Sequence, residues 1–227
     1  MTNTSILACG ELRTFESAFR TWDFNFDHNL RIHTWDYCTE TKRRVDHSTL
    51  KNVNGEVVVH PAGKSPAHWN KWSVCRQIFL WKEAVANTSA GSDILVIVRP
   101  DCAFSTDREV FGSLLEEARS RRGGEFLYTT FQTEDNPFSD ICWWGTRRAV
   151  ETFVHSLSVD EFLFAPDTDI HSWLHRRAQS LGIVVETRKE MRTMILRPIA
   201  SQQDLLTGEG WDEATRLNAV DWETRVK

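Results

Sequence analysis

Charged residues and a glycine follow several apolar runs of this sequence, at points where they could do chemistry. Apolar runs of this length predict buried strands, so each candidate residue would stand where a strand passes into a loop. Two arginines and several carboxylates are among them, a combination that binds anions or cations. The candidates are Gly10, Glu11, Arg13 and Thr14, then Trp35 and Asp36, then Arg99, Pro100 and Asp101, and finally Asp140.

The residue types in this set favour a ligand that carries phosphate. An arginine guanidinium presents a planar fork of donors that suits phosphate or carboxylate. A carboxylate that faces phosphates needs a divalent cation between them, and Mg²⁺ or Mn²⁺ uses one or two protein carboxylates together with water. Asp101 is the candidate metal ligand. The residues therefore predict a phosphate-bearing ligand, with or without a bridging metal ion.

Each of these residues also has a purely structural interpretation. Asp101 and Asp140 could be turn or cap residues, because aspartate readily bonds to nearby backbone. Arg13 could be an ordinary surface arginine. Only their joint position at strand ends favours a site.

Short apolar or alternating segments predict the strands that would position these residues. Asp93–Arg99 is apolar on both faces and predicts a central strand, whereas the last two segments look like a strand pair. The predicted strands are Ser5–Cys9, Leu30–Trp35, Val57–Val59, Asp93–Arg99, Phe126–Phe131, Asp140–Trp144, Ile183–Glu186 and Thr193–Leu196.

Helical periodicity separates the strands. Helices are predicted from Ser65-Pro66 to Ala86, from a Thr106-x-x-Glu109 capping box to Gly123, over 149–157 and over 170–181. Strands that alternate with helices predict an α/β sheet with helices on both faces. Because ligands of such sheets bind at the carboxyl ends of the strands, we expect the candidate residues to converge there.

Several familiar sites are excluded or disfavoured. The sequence contains no G-x-x-x-x-G-K-[ST], G-x-G-x-x-G or G-x-S-x-G motif, which removes the main support for P-loop, dinucleotide-binding and hydrolase sites. His171 and His175 have helical i, i+4 spacing but lack the glutamate of H-E-x-x-H, so they are interpreted as half-exposed helix residues. Paired arginines recur near predicted helix ends, which favours solvated termini over a patch for an anionic polymer.

Composition sets the class of protein. The chain has 227 residues, of which 41% are hydrophobic and 26% charged, and this predicts one globular domain in which residues 200–227 are weakly patterned. The net charge of −5 gives no global attraction to nucleic acid or anionic membrane. The five scattered cysteines predict reduced thiols. With no signal peptide or membrane span in evidence, a cytoplasmic location is expected.

Four segments together resemble a known family. ILACGELRTFE opens the chain, LRIHTWD follows about 20 residues on, and DILVIVRPD and SDICWWG come later. In this order they resemble a family of small glycosyltransferase-like proteins with a G-x-x-R-[TS]-F opening, an "ihTWD" strand, an "R-x-RPD" strand and a late D-x-x-x-x-G strand. Members occur in polysaccharide gene clusters and in large phage genomes. The resemblance runs from about Ile6 to Arg197.

The resemblance implies a GT-A-like fold, a Rossmann-type sandwich with a mixed, mostly parallel sheet that binds a nucleotide-sugar donor. In glycosyltransferases of this fold an acidic motif after the central strand holds Mn²⁺ or Mg²⁺ against the donor diphosphate. Asp101 stands in that place, as a single carboxylate rather than an aspartate-x-aspartate pair, and Ile97 replaces the first arginine of R-x-RPD. The implied nucleotide-sugar-binding residues are Gly10, Glu11, Arg13, Thr14, Asp36 and Arg99.

The same resemblance suggests catalytic and acceptor residues. Transfer needs a base that takes the proton of the acceptor hydroxyl. Asp140 is the first candidate and Asp169 the second. The segment Ala165–Asp169 is similar to the family's "PE-x-x-l" helix start, with Asp169 or Asp167 in place of the glutamate. Trp143 and Trp144 could stack on a sugar or a base, although only one of the two can face the site from a strand.

The function predicted from these features is transfer of a sugar from a nucleotide-diphosphate sugar to a hydroxyl acceptor. The acceptor would be a glycan or lipid-linked sugar, or a hydroxymethylated pyrimidine in phage DNA. Two alternatives stay open. One is a non-catalytic nucleotide-sugar-binding module, favoured by the single carboxylate of Arg99-Pro100-Asp101. The other is a metal-dependent phosphohydrolase that acts on nucleotide sugars.

Overall fold

The computed structural model describes eleven segments of the chain. Arg13, Thr14, the predicted helix start at Ser65-Pro66 and the C-terminal stretch 200–227 lie outside the described residues, so the predictions on them stay predictions. The described residues are 3–12, 15–19, 21–22, 28–38, 43–45, 50, 53–64, 73–121, 125–130, 138–165 and 169–195.

Strands and helices alternate along the described residues, as the periodicity predicts. The strands are β1 (Thr4–Cys9), β2 (Asn29–Trp35), β3 (Tyr37–Cys38), β4 (Arg43–Arg44), β5 (Glu56–His60), β6 (Ile94–Val98), β7 (Cys102–Phe104), β8 (Phe126–Thr130), β9 (Cys142–Thr146), β10 (Val184–Arg188) and β11 (Thr193–Ile195). The helices are α1 (Phe15–Phe19), α2 (Ser73–Ala86), α3 (Arg108–Ser120), α4 (Arg147–Ser156), α5 (Val159–Leu163) and α6 (Ile170–Ser180).

Seven of the strands form one mixed, mostly parallel sheet in the order β10-β8-β9-β6-β1-β2-β5. The pairs β6–β1, β1–β2, β2–β5 and β8–β10 are parallel. Only β9 runs antiparallel to both of its neighbours, β6 and β8. The prediction of an α/β fold built on a mixed, mostly parallel sheet is therefore confirmed.

The central strands are apolar on both faces because each face is covered by its own core. Every residue of β1 and β6 is buried. Successive side chains of a strand point to opposite faces, so these strands contribute alternately to two clusters. The α2 core contains Leu7, Ile78, Leu95, Trp143 and Phe153, and the α3 core contains Ile6, Val96, Phe111, Leu115 and Trp144.

Helices cover both faces, as predicted. On the side of the α2 core, α2 contacts β1, β2, α4 and α5, and α6 contacts β10. On the other side, α3 contacts β6 and β9. The apolar stripe of α3 is Phe111, Leu114, Leu115 and Ala118, all of which are buried.

The predicted capping box at the start of α3 is wrong. Asp107 is the residue before the helix, and its side chain makes no capping hydrogen bond. The Thr106 hydroxyl instead accepts from the backbone N–H of Arg192 at 2.7 Å and lies 3.2 Å from the carbonyl oxygen of Arg192. Thr106 thus fixes the segment before β11, a long-range contact that competes with the local cap.

The last two strands do not pair with each other, which corrects the predicted strand pair. β10 is an outer strand of the main sheet and runs parallel to β8, whereas β11 pairs antiparallel with β7. The strand β7 has only three residues, too few for periodicity to reveal. Because β7 is not predicted from the sequence, β10, the strand that precedes β11 in the chain, is the only partner that the prediction can give to β11.

Trp143 lies at the centre of an aromatic cluster in the α2 core. Its ring meets Trp81 and Phe153 edge-on, with centroid separations of 5.6 and 5.5 Å, and Phe138 lies 5.7 Å away. The side chain is completely buried. Edge-to-face pairs of this kind add to the free energy gained from burial alone.

The cluster predicts a large stability loss in Trp143→Ala. Removing a fully packed indole leaves a cavity, and we expect the free energy of unfolding to fall by about 3–5 kcal/mol, measured by urea denaturation. Phe164→Ala is the control, since Phe164 is 85% exposed and its loss should change stability by less than about 0.5 kcal/mol. A cost for Trp143→Ala as small as the control's would contradict the core position.

Candidate functional site

The carboxyl ends of β1, β2 and β6 meet at one edge of the sheet. The backbone N–H of Gly10 donates to His33 O at 3.1 Å, which joins the ends of β1 and β2. The N–H of Arg99 donates to Ile141 O at 2.9 Å. Because β9 is antiparallel, its beginning lies at this edge, and Asp140 arrives beside the end of β6. The ends of these strands therefore meet at one edge, as the sequence predicts.

Arg99 lies between two carboxylates at this edge. Its Nε and Nη2 donate to the two oxygens of Asp101 at 3.0 and 2.9 Å, a bidentate pair. Its Nη1 donates to Asp140 Oδ2 at 3.4 Å. The side chains of Arg99, Asp101 and Asp140 are only 17%, 3% and 9% exposed, so the cluster is largely shielded from water.

The charges of the cluster depend on one another. Burial opposes the charged guanidinium, but the carboxylates of Asp101 and Asp140 outweigh it and raise the pKa of Arg99. With one cation between two carboxylates, the cluster presents donors and acceptors together. This geometry suits a ligand that offers both kinds of hydrogen-bonding group.

Asp140 has a second neighbour that the sequence did not single out as functional. His171, in the first turn of α6, places Nδ1 3.8 Å from Asp140 Oδ1. The same nitrogen lies 3.0 Å from Phe138 O. The sequence places His171 near the start of a predicted helix. It does not indicate which strand that helix would contact, so the approach of His171 to Asp140 could not be predicted.

Glu11 is committed to a buried ion pair. Arg76 Nη1, from α2, donates to Glu11 Oε1 at 2.7 Å, and Cys38 Sγ lies 3.3 Å from Oε2. The Arg76 guanidinium also donates to Tyr37 O at 3.2 Å and lies 4.7 Å above the Trp35 ring. Glu11 therefore ties the loop after β1 to α2. Arg76 was missed because it lies among the apolar residues of a helix stripe.

Asp36 and Gly10 shape the neighbouring loops. Asp36 Oδ1 accepts from the backbone N–H of Ala62 at 2.7 Å, which fixes the turn after β5. Gly10 has a φ of 151°, and a Cβ at this position would lie 2.9 Å from Pro100 Cδ. Only glycine allows the loops after β1 and β6 to approach this closely.

Trp143 and Trp144 do not face the site, which corrects their prediction as acceptor-binding residues. Both are completely buried, Trp143 in the α2 core and Trp144 in the α3 core. Trp144 stacks on Tyr128 at 5.7 Å. Trp35 is buried as well. The strand β9 is internal to a sheet covered on both faces, so both alternating positions point into a core.

Asp169, the second candidate base, has a structural role as the N-cap of α6. Its Oδ1 accepts from the backbone N–H groups of His171 at 2.9 Å and Ser172 at 3.0 Å. Burial opposes the charged form, but the hydrogen bonds from Ser172 and His171 outweigh it and lower the pKa of Asp169. A proton acceptor is weakened by such bonds, and what Asp169 contributes is the start of the helix that carries His171.

The donor set does not fit a divalent cation in this arrangement. Both oxygens of Asp101, the predicted metal ligand, accept from Arg99, so a metal ion would have to displace the guanidinium. No group of three or more His, Cys, Asp or Glu side chains that could hold a metal occurs in the described part of the chain. We therefore assign no step to Mn²⁺ or Mg²⁺.

Two histidines form a buried pair next to this edge. His33 Nδ1 and His60 Nε2 lie 3.4 Å apart, and the rings are stacked with centroids 5.6 Å apart. Burial, with smaller effects from His60 and Arg31, lowers the pKa of His33 from 6.5 to about 4. His33 is therefore neutral at pH 7 in the folded chain.

The chain resembles solved proteins in its fold. No family model matches it, and no curated protein sequence does. The crystal structure of 4-diphosphocytidyl-2C-methyl-D-erythritol synthase from Anaerococcus prevotii DSM 20548 is similar, with a TM-score of 0.51 over 98% of this chain and 96% of that chain. The fold is a GT-A-like, Rossmann-type sandwich. At 9% sequence identity the likeness shows this fold and nothing finer.

None of the helices in the described segments is long and apolar enough to cross a membrane. All five cysteines are buried, and burial raises the pKa of Cys75 to about 11, so its thiol is unreactive at neutral pH.

The His33 pair predicts a specific loss of stability in mild acid. Between pH 6.5 and 4 the unfolded chain binds a proton at His33 that the folded chain does not, so stability falls as the pH falls through this window. We expect the free energy of unfolding to drop by about 1–2 kcal/mol between about pH 7 and pH 5. His33→Gln should remove most of that drop in urea titrations, whereas His155→Gln, at an exposed site, should not. Equal slopes in wild type and His33→Gln would refute the assignment.

Proposed function

We propose that this chain is a glycosyltransferase that moves a sugar from a nucleotide-diphosphate sugar to a hydroxyl acceptor. The observation that carries the proposal is the Arg99–Asp101–Asp140 cluster at the carboxyl edge of the sheet. Ligands of open α/β sheets bind at this edge. The GT-A-like fold and the four-segment family resemblance support the same substrate class.

The charge of the cluster indicates which part of the donor it would bind. Two carboxylates and one guanidinium leave a net negative charge, which repels a diphosphate. Sugar hydroxyls both donate and accept hydrogen bonds, so they match carboxylate oxygens and guanidinium N–H groups presented side by side. We therefore place the sugar, rather than the diphosphate, against Arg99 and its two carboxylates.

Arg99 retains donors for a ligand. A guanidinium has five N–H groups, and the three bonds to Asp101 and Asp140 use three of them. Five minus three leaves two, one on each terminal nitrogen. These two N–H groups can donate to ligand oxygens while Asp101 holds the other side of the guanidinium.

The diphosphate belongs next to the loop after β1. Gly10 brings this loop into contact with Pro100 at the end of β6, directly beside the Arg99 cluster. In the family pattern this loop continues to Arg13 and Thr14, and an arginine here would supply the positive charge that the cluster lacks. Glu11 does not face a ligand in this scheme, because Arg76 already binds it.

The transfer step has a simple balance of bonds. The acceptor hydroxyl oxygen forms a bond to the anomeric carbon of the sugar, and the bond from that carbon to the diphosphate oxygen breaks. The electron pair leaves with the nucleoside diphosphate, and the hydroxyl proton passes to a base on the protein. Hydrogen bonds held ready by Arg99 and its carboxylates would orient the sugar for this displacement.

The arginine pairs give no support to a DNA acceptor. A DNA-binding face needs unmatched positive charge to replace counterions. Four arginines from these pairs form ion pairs with glutamates: Arg121 with Glu186, Arg147 with Glu151, Arg148 with Glu125 and Arg177 with Glu161. Of the two acceptor classes, we therefore favour a glycan or lipid-linked sugar.

A donor panel tests the proposal. We expect at least one of the UDP-, GDP-, ADP- or CMP-sugars to raise the melting temperature, because a ligand that binds only the folded state stabilises it. Free nucleotide should be released when an acceptor is added. The absence of a shift with every donor, with or without Mn²⁺, would overturn the transferase proposal.

Further arms of the panel separate the alternatives. A binding module would show the shift without release of nucleotide, and a phosphohydrolase would release nucleotide without any acceptor. The name of the similar structure contains a diphosphocytidyl group, so CTP with sugar phosphates, read out as pyrophosphate release, tests a nucleotidyl transfer. With hydroxymethylated DNA as the acceptor, transfer would be detected as an increase in the mass of the DNA by one sugar.

Asp101→Asn tests the cluster directly. Asparagine cannot accept two charge-assisted bonds from Arg99, and loss of about 1.5–3 kcal/mol of transition-state positioning would lower kcat/KM by roughly 10- to 150-fold. Arg148→Ala is the control. The Arg148 side chain is 86% exposed, and it pairs with Glu125 rather than with any residue of the Arg99 cluster. Full activity of Asp101→Asn would remove Asp101 from the site.

A further inference from the structure

The start of α6 brings a histidine to the edge where the acceptor must react. The Asp169 cap begins the helix, and His171 in its first turn reaches both Phe138 and Asp140, which precede β9. The His171 side chain is 17% exposed, so it is neither fully buried nor free on the surface.

The contact with Phe138 determines the tautomer of His171. A backbone carbonyl oxygen only accepts hydrogen bonds, and it lies 3.0 Å from His171 Nδ1. The proton of the neutral ring is therefore on Nδ1. The lone pair that can take a proton is on Nε2.

Asp140 is placed to stabilise the ring once it has taken that proton. Its Oδ1 lies 3.8 Å from the Nδ1 atom, and its Oδ2 accepts from Arg99 Nη1 at 3.4 Å. A carboxylate beside the protonated nitrogen of a base favours the imidazolium and keeps the ring in one orientation. Since both of its oxygens face basic side chains, Asp140 is suited to positioning.

We propose that His171 is the general base of the transfer and that Asp140 is its positioning residue. The inference rests on the proposed glycosyltransferase function and replaces Asp140 as the base. In the step, Nε2 takes the proton from the acceptor hydroxyl as that oxygen bonds to the anomeric carbon. The nucleoside diphosphate leaves with the electron pair of the broken bond, and Nδ1 keeps its proton throughout.

Variants at two histidines of the same helix test the role of His171. His171→Gln should lower kcat by about 100-fold or more, the usual contribution of a general base, while the donor-induced rise in melting temperature stays unchanged. His175→Gln, one turn further along α6, is the matched control and should keep wild-type kcat. Added imidazole should restore part of the activity of His171→Ala. It should restore no activity to Asp101→Asn, which lacks a carboxylate rather than an imidazole.

The tautomer provides a test that needs no turnover. In long-range ¹H–¹⁵N spectra of histidine-labelled protein, the signals missing from His171→Gln identify His171, and they should show a protonated Nδ1 and an unprotonated Nε2. Asp140→Asn should lower kcat, because a neutral amide beside the ring does not stabilise the imidazolium as a carboxylate does.

The outcomes separate the two proposals. Wild-type kcat in His171→Gln, or a ring protonated on Nε2 in wild type, overturns His171 as the base and leaves the transferase function standing. A wild-type protein that binds and turns over no donor overturns the transferase function, and the base falls with it.

Discussion

The carboxylates of Asp101 and Asp140 lie in one site shielded from water and repel each other. The guanidinium of Arg99 donates to both and so holds them together. Removing one partner of a buried ion pair leaves the others uncompensated, at a typical cost of about 3–5 kcal/mol. Arg99 directly follows β6, so the same side chain that balances the charges anchors the loop containing Asp101 and the segment before β9. The charge balance of the cluster and the positions of its two carboxylates therefore depend on one residue.

The reversed direction of β9 determines what Arg99 can reach. In a fully parallel sheet the start of β9 would lie at the opposite edge, and Asp140 with it. Because β9 is antiparallel to β6, Phe138 and Asp140 arrive where the parallel strands end, and the first turn of α6 packs against them. The reversed direction of β9 thus adds Phe138 and Asp140 to a site that otherwise consists of the loops after β1, β2 and β6.

The sequence predicted those features that depend on local pattern. The strands β1, β2, β5, β6, β8 and β9 and the helix stripes follow from hydrophobic periodicity, and the rule for strand ends placed Gly10, Asp36, Asp101 and Asp140 together. What failed depends on tertiary contacts. Burial of Trp143 and Trp144 follows from both faces of β9 being covered, and Arg76 and His171 meet their partners only through helix packing.

Consecutive residues of β9 belong to different cores, so the sheet separates two layers of packed side chains. Trp143 packs with α2 and α4, and Trp144 with α3 and β8. Close-packed interiors transmit strain among side chains that touch, whereas distant sites behave additively. Each layer can therefore exchange its side chains largely without reference to the other.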